Sequence, residues 1–290
     1  MARNEETFEL GHEPYISLYL HQKDETIRIK FEEYLIGAVA AEMPASFEMD
    51  ALKAQAVCAR TYAIKKLLEQ KKFPQQADLS DDINSCQAYI DPADFAKANP
   101  KHHKELLRRI KKAVEETRGV IMLCNGEPID ALYHSTCGGR TEKAGDVWLK
   151  DLPYLNSVVC DYCAQSKHYA TVQVFSTQQL KNNIACYSTD DLEIKIIETT
   201  ASGRVKNLLI NNVKLSGEEF RRLLNLPSNW WNFEIKKGKL IINSRGYGHG
   251  VGMCQFGANG MAQDGNDYKK ILRHYYGHIE FNKISYDVLD

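Results

Sequence analysis

Phe31-Glu32-Glu33-Tyr34-Leu35-Ile36-Gly37-Ala38-Val39-Ala40-Ala41-Glu42-Met43-Pro44 is the stretch on which the reading of this chain turns. Apolar residues fall at helical spacing through Phe31, Tyr34, Leu35, Ala38 and Val39, and Pro44 stops the helix just after Glu42. Before it, the alternation in Tyr15 to Leu20 and in Thr26 to Lys30, around the polar His21 to Glu25, predicts a β-hairpin. After it, Asp50 to Lys72 predicts a longer helix, with Leu52, Ala56, Ala59, Ala63 and Leu67 on one face and lysines at the end that suits the helix dipole. Its alanines permit close packing.

Residues 74 to 100 are polar and punctuated by proline, and a basic amphipathic helix from Lys101 to Arg118 follows, with Gly119 fitting its C′ position. Asn125-Gly126 supplies a tight turn between Val120 to Leu123 and Pro128 to Tyr133, and this hairpin delivers the chain into His134-Ser135-Thr136-Cys137-Gly138-Gly139. From about 166 to 233 the pattern is β-α-β-β-β-α, with strands near Ala170 to Phe175, Glu193 to Glu198, Val205 to Ile210 and Val213 to Leu215; a capping box, Ser216 to Glu219, opens the last helix. A further hairpin, Phe233 to Ile235 with Lys239 to Ile242, leads to a glycine-rich loop, Gly246 to Gly252, and to short helices near 254 to 264 and 267 to 276. The fold class is α+β: a core of mixed helices and antiparallel sheet in two parts, residues 1–165 and 234–290, with residues 166–233 as a smaller inserted α+β module.

The 290 residues carry 37 Lys and Arg against 38 Asp and Glu, a net charge of -1, which excludes grip on nucleic acid or anionic lipid through bulk charge. Hydrophobic residues at 43% and the absence of low-complexity tracts fit a well-cored globular chain. No apolar run approaches the roughly 20 residues of a membrane span, and the charged start, Met1 to Glu6, lacks a signal peptide's apolar stretch, so at face value the chain reads as cytoplasmic.

Eight cysteines stand out. His134 and Cys137 are spaced H-x-x-C, Cys160 and Cys163 C-x-x-C, with 22 residues between the pairs; together they match a tetrahedral Cys₃His structural zinc site. Four protein ligands leave no open position for water, so one such ion would staple loops and not hydrolyse anything. The plainer alternative is a redox C-x-x-C beside an unrelated histidine. The other five, Cys58, Cys86, Cys124, Cys186 and Cys254, are scattered and odd in number, with Cys58 and Cys124 in apolar patterns that suit small core residues.

Glu42 ends an almost wholly apolar run, where desolvation would raise its pKa and keep it protonated as a general acid requires; the plainer reading is a helix end in water. Arg60 lies among Ala56, Ala59 and Ala63, where an unpaired cation is costly, so it either serves a site or forms a structural ion pair. The loop Gly246-Tyr247-Gly248-His249-Gly250-Val251-Gly252 has neither the G-x-G-x-x-G register nor the P-loop lysine, which speaks against a nucleotide. Alternate glycines suit close backbone approach to another segment or to a ligand, with Tyr247 and His249 projecting between.

Five motifs in order, Ala40-Ala41-Glu42-Met43-Pro44, Ala51 to Val57 with Ala59-Arg60-Thr61-Tyr62-Ala63, Tyr133-His134-Ser135-Thr136 with Gly138-Gly139, Val147-Trp148 with Leu152 to Leu155, and Gly246 to Ala258, resemble the stage II sporulation protein D family, which includes amidase-modifier relatives. The resemblance implies a lytic transglycosylase of sporulation that degrades peptidoglycan during engulfment. It implies action on glycan strands already stripped of stem peptides, and an extracytoplasmic location held by an N-terminal membrane anchor that this chain does not carry. It also implies a partner amidase and endopeptidase and a membrane scaffold protein, and no nucleic acid. The family's catalytic glutamate corresponds to Glu42 and its A-R-T-Y arginine to Arg60. Two departures are Cys137, where serine is common, and Asn156, where lysine is common.

On that resemblance, Glu42 is the catalytic acid and base, and Arg60, Tyr133, Ser135, Tyr154, His249 and Gln255 are expected to line the glycan groove, each with packing or bracing as its alternative role. His134, Cys137, Cys160 and Cys163 are the expected zinc ligands. Two other classes compete: a non-catalytic glycan-binding enhancer of a partner amidase, and a zinc hydrolase, against which four protein ligands weigh.

Overall fold

The computed structural model describes residues 12–148, 150–176, 178–180, 184 and 192–286. β1 (Tyr15–Leu20) and β2 (Glu25–Lys30) form the expected hairpin, in register from Tyr15 opposite Lys30 to Leu20 opposite Glu25. α1 (Phe31–Glu42) and α2 (Met49–Leu68) follow, the second ending four positions short of the expected Lys72. α1 buries Phe31, Tyr34, Leu35, Ala38 and Val39, and α2 buries Ala51, Ala54, Ala56, Ala59 and Ala63, small side chains that let backbones come close.

The polar stretch after α2 is more ordered than its composition predicts. β3 (Leu79–Ser80) joins β1 in parallel, and α3 (Pro92–Ala98) is capped by the Asp91 carboxylate, which accepts from the Ala93 N–H. α4 (His103–Glu116) precedes Gly119, whose φ of 74° is the left-handed position a helix end uses. β4 (Val120–Cys124) and β5 (Glu127–Pro128) are joined by Asn125 and Gly126 at φ 54° and 82°.

β6 (Tyr133–His134) and α5 (Ala144–Trp148) come next, then β7 (Ala170–Ser176), β8 (Ile194–Thr199), β9 (Val205–Ile210) and β10 (Val213–Ser216). α6 (Gly217–Leu224) opens on the full capping box, both Ser216–Glu219 bonds being present. Most of the helix expected after β7, and Cys186 with it, lies outside the described residues. β11 (Trp231–Lys236) and β12 (Lys239–Arg245) pair with β7 in the order β11-β12-β7, while β8 to β10 form a second sheet. β13 (Met253–Cys254) leads into α7 (Gln255–Gln263), and α8 (Tyr268–Tyr275) and β14 (Glu280–Lys283) close the chain, β14 pairing with β4. The fold is α+β, built on small and mainly antiparallel sheets.

By contact the chain falls into two compact units. One holds the described residues up to Leu132 with Met261–Arg273 and those from His278 on; the other holds Tyr133–Gly260 and His274–Gly277. These lines differ from the three-segment division expected above. The 166–233 segment has an apolar core of its own, around Val205, Leu208, Phe220 and Trp231, and that core runs on to Leu240 and Ile242 of β12. Among the described residues no helix is long and apolar enough to cross a membrane.

Candidate functional site: a seated carboxylate and a thiol cluster

In the first unit, α1 ends at Glu42 because Met43 turns extended and Pro44 follows. The half-buried Glu42 carboxylate does not hang in solvent: its Oε1 accepts a hydrogen bond of 2.8 Å from the Ala88 N–H. Tyr34 and Tyr62 stand close enough to feel its charge. Burial above all, with Cys86 and Glu42 adding to it, pushes both phenols up, so both stay protonated through neutral pH. The segment that carries Ala88 also lines a cleft of about 620 Å³, walled by Asp81, Asp82, Asp91, Asp94, Asn84 and Tyr89 among others.

Arg60 does not line that cleft or any open surface. It is fully buried, donating from Nε and Nη2 to the two Glu32 oxygens at 2.8 Å each and from Nη1 to the Val120 carbonyl at 3.3 Å. Tyr286 donates its hydroxyl to the same Glu32 carboxylate. Burial alone would raise Glu32, but the charge and hydrogen bonds of Arg60 outweigh it and hold the carboxyl below its ordinary value. The expected sugar contact is thus a structural ion pair, formed with Glu32 and not with Glu42; an alanine-lined helix face leaves a guanidinium no route to solvent.

In the second unit, β6 and β13 pair in parallel, with Cys254 opposite His134. That pairing supplies the fourth member of the thiol cluster. The sulfurs of Cys137, Cys160, Cys163 and Cys254, all buried, lie within 4.8 Å of one another, and Cys137 Sγ and Cys163 Sγ are 3.5 Å apart. Sulfurs at 2.3 Å around a tetrahedral ion stand about 3.8 Å from each other, so the set fits one metal ion. Hydrogen bonding with Cys137 holds the Cys163 thiol well below its ordinary range, which favours a ready thiolate. His134, expected as the fourth ligand, is not in the group: its Nδ1 lies 3.1 Å from the Val251 carbonyl oxygen, to which it donates, and Cys254 completes the four instead.

The glycine loop does what alternate glycines permit, and the neighbour is protein. A Cβ on Gly246 would lie 2.6 Å from the Thr136 carbonyl oxygen, one on Gly248 3.0 Å from the His134 Cβ, and one on Gly250 2.6 Å from the Arg204 guanidinium. His249 turns inward. Its Nε2–H donates to the Tyr133 carbonyl at 3.0 Å and its Nδ1 accepts the Val251 N–H at 3.1 Å, so both nitrogens brace backbone, and burial lowers its pKa to about 4. It therefore offers a sugar nothing. Tyr154 and Gln255 are buried, while Tyr133 and Ser135 keep partial exposure.

Three features escaped sequence reasoning. Cys254 stands 91 positions after Cys163, with no C-x-x-C or H-x-x-C spacing of its own to mark it as a ligand. The Ala88 N–H is a backbone donor and leaves no mark in the residue type. Glu142 and Arg204 are buried together in the second unit: Thr200 and Ser202 hydroxyls each reach Glu142 Oε2 at 2.6 Å, and Arg204 Nη2 donates to the Cys137 and Arg140 carbonyls. Arg204 comes from the 166–233 segment, so that segment braces the backbone of a cluster cysteine.

The SpoIID family model, described as stage II sporulation protein, matches residues 19–123, the span that holds Glu42, Arg60 and Ala88. Stage II sporulation protein D of Bacillus amyloliquefaciens is 33% identical over 270 residues, covering 92% of this chain and 78% of that protein. The Bacillus subtilis (strain 168) protein of the same name is 33% identical over 263 residues, covering 90% and 77%. An amidase enhancer of Bacillus subtilis (strain 168) is 26% identical, covering 83% of this chain and 39% of its own length. The chain belongs to the SpoIID family.

Proposed function

We propose that this chain is a lytic transglycosylase that cleaves peptide-free glycan strands of peptidoglycan in sporulation, with Glu42 as its single acid and base. The observation that carries the reading is the seating of Glu42: a carboxylate at the end of an apolar helix, oriented by the Ala88 N–H at 2.8 Å. Ordinary glycosidases need two carboxylates across the sugar. One suffices when the muramic acid supplies its own nucleophile. Protonated Glu42 gives its proton to the bridging oxygen as the bond from that oxygen to the muramic acid anomeric carbon breaks. The resulting carboxylate takes the proton of the muramic acid 6-hydroxyl as that oxygen closes on the same carbon, forming a 1,6-anhydro ring. Atoms balance without water, and Glu42 is returned protonated.

Of the residues expected to contact sugar, Tyr133 and Ser135 of the second unit keep partial exposure, Tyr154 and Gln255 are buried, and His249 is half-buried. The cleft walled by Asp81, Asp82, Asp91 and Asp94 supports a ligand rich in hydroxyl donors, because carboxylates accept from hydroxyls. An amidase and an endopeptidase are the reaction classes that must supply such a strand. Since the substrate lies outside the membrane, the protein acts on the extracytoplasmic face.

Cys137, Cys160, Cys163 and Cys254 would hold one zinc ion. Four thiolates close its coordination, so the ion would supply fold stability and polarise no substrate. A second reading, a glycan-binding enhancer without catalysis, rests on the relative named amidase enhancer. Mass spectrometry of amidase-treated peptidoglycan after incubation separates the two: anhydromuramyl ends support the lyase, and binding without release supports the enhancer.

A further inference from the structure

Between β3 and α3, the segment Cys86 to Ile90 runs against α1 and is fixed at three points. Gln87 is 4% exposed; its Nε2 donates to the Tyr34 hydroxyl at 2.8 Å and to the Ala59 carbonyl at 3.2 Å, one acceptor on α1 and one on α2. The Tyr89 ring stacks on Tyr34, with centroids 5.8 Å apart and planes 11° from parallel. The Ile90 N–H donates to the Gly37 carbonyl at 3.2 Å. Gly37 is the seat of this arrangement, since a Cβ there would lie 2.2 Å from the Tyr89 ring and 2.8 Å from the Ile90 carbonyl oxygen. Between those fixed points the Ala88 N–H meets Glu42 Oε1.

We infer that Gln87 is a positioning residue for the acid: by tying the segment to both helices it aims the Ala88 N–H at Glu42 and thereby sets the proton affinity of that carboxylate. This role rests on the reading of Glu42 as the catalytic acid. A buried amide bonded to two helices costs desolvation that a leucine of similar size would avoid, so what it accomplishes is orientation. An N–H donated to a carboxylate favours the ionised form, so loss of that bond raises the carboxyl pKa. One group that must both give and take a proton is sensitive to that balance. The titratable neighbours are Tyr34 on α1, Tyr62 on α2 and Cys86 on the segment itself, with Glu69 and Asp130 acting on Tyr62 by charge. Burial holds both phenols and the Cys86 thiol above their ordinary values, so none of these three titrates between pH 5 and pH 8.

The test is kcat and KM for release of anhydromuramyl ends from amidase-treated glycan across pH 4 to 9, for wild type, Gln87→Leu and Tyr34→Phe, with thermal unfolding measured alongside. Gln87→Leu is expected to lower kcat roughly tenfold with KM nearly unchanged, and to move the alkaline limb of the kcat profile up by about one pH unit. Tyr34→Phe, which removes one of the two acceptors, is expected to shift the limb the same way by less, and it carries the test if Gln87→Leu does not fold. An active wild type whose folded variants keep its pH profile overturns this role alone. A wild type that makes no anhydro ends overturns the reading of Glu42, and this role with it.

Discussion

Arg60 gives up Nε and both terminal nitrogens to buried acceptors, so its removal acts on folding before it acts on any ligand. Arg60→Ala leaves Glu32 buried without its partner, a loss of about 3–5 kcal/mol in urea unfolding. Arg60→Met with Glu32→Gln, which empties both charges, is expected to recover part of it. The pH dependence has a definite sign. Glu32 is held below its ordinary 4.5, so its contribution is complete above that pH and fades as pH falls through the lower, folded value. The stability gap between wild type and Arg60→Met is therefore expected to be widest above neutral pH and to narrow as pH falls, closing below about pH 4.5. His249 adds a second acid-side loss. Its pKa of about 4 lies below the ordinary 6.5, so its packing contributes fully above pH 6.5 and is lost as pH falls towards 4. His249→Asn is expected to lose less stability than the wild type in urea unfolding as pH falls from 6.5 to 4.

At the scale of elements, local patterns were legible and long-range pairings were not. α1 has the bounds read from its apolar spacing, and the Asn125-Gly126 turn and the Ser216 capping box form where their residue types require. Each depends on neighbours a few residues away. The thiol cluster is legible where it is local, in C-x-x-C, and not where β6 meets β13 across more than a hundred positions, which places Cys254 against Cys137. Arg60 shows the same division: an alanine face says that the charge needs a partner, and nothing nearby says that the partner is Glu32. The cluster makes its own prediction. Zinc measured per chain after dialysis is expected to fall to near zero in Cys254→Ser and to persist in His134→Ala, and a chelator is expected to lower the thermal midpoint of the wild type. Zinc lost from His134→Ala and kept in Cys254→Ser would restore the Cys₃His set.

For the whole molecule, near-neutral charge and the family relationship bear on one claim, that Glu42 cuts peptide-free glycan. Binding to denuded strands is expected to change less than about twofold between 50 and 500 mM salt, because few ion pairs form; a steep loss with salt would mean that the anionic lactyl groups carry the binding. The Glu42 carboxylate and its Ala88 donor lie in one compact unit and the four cysteines in the other, so removing any metal the cysteines hold and removing the carboxylate are expected to be distinct lesions. The most direct measurement is product mass spectrometry on amidase-treated peptidoglycan with wild type and with Glu42→Gln, a change that keeps the side chain's size and removes its acidity. Wild type is expected to release fragments ending in 1,6-anhydromuramic acid, and the folded variant to release them at least about a hundredfold more slowly. Equal release by Glu42→Gln, or ordinary reducing ends from the wild type, would contradict the account.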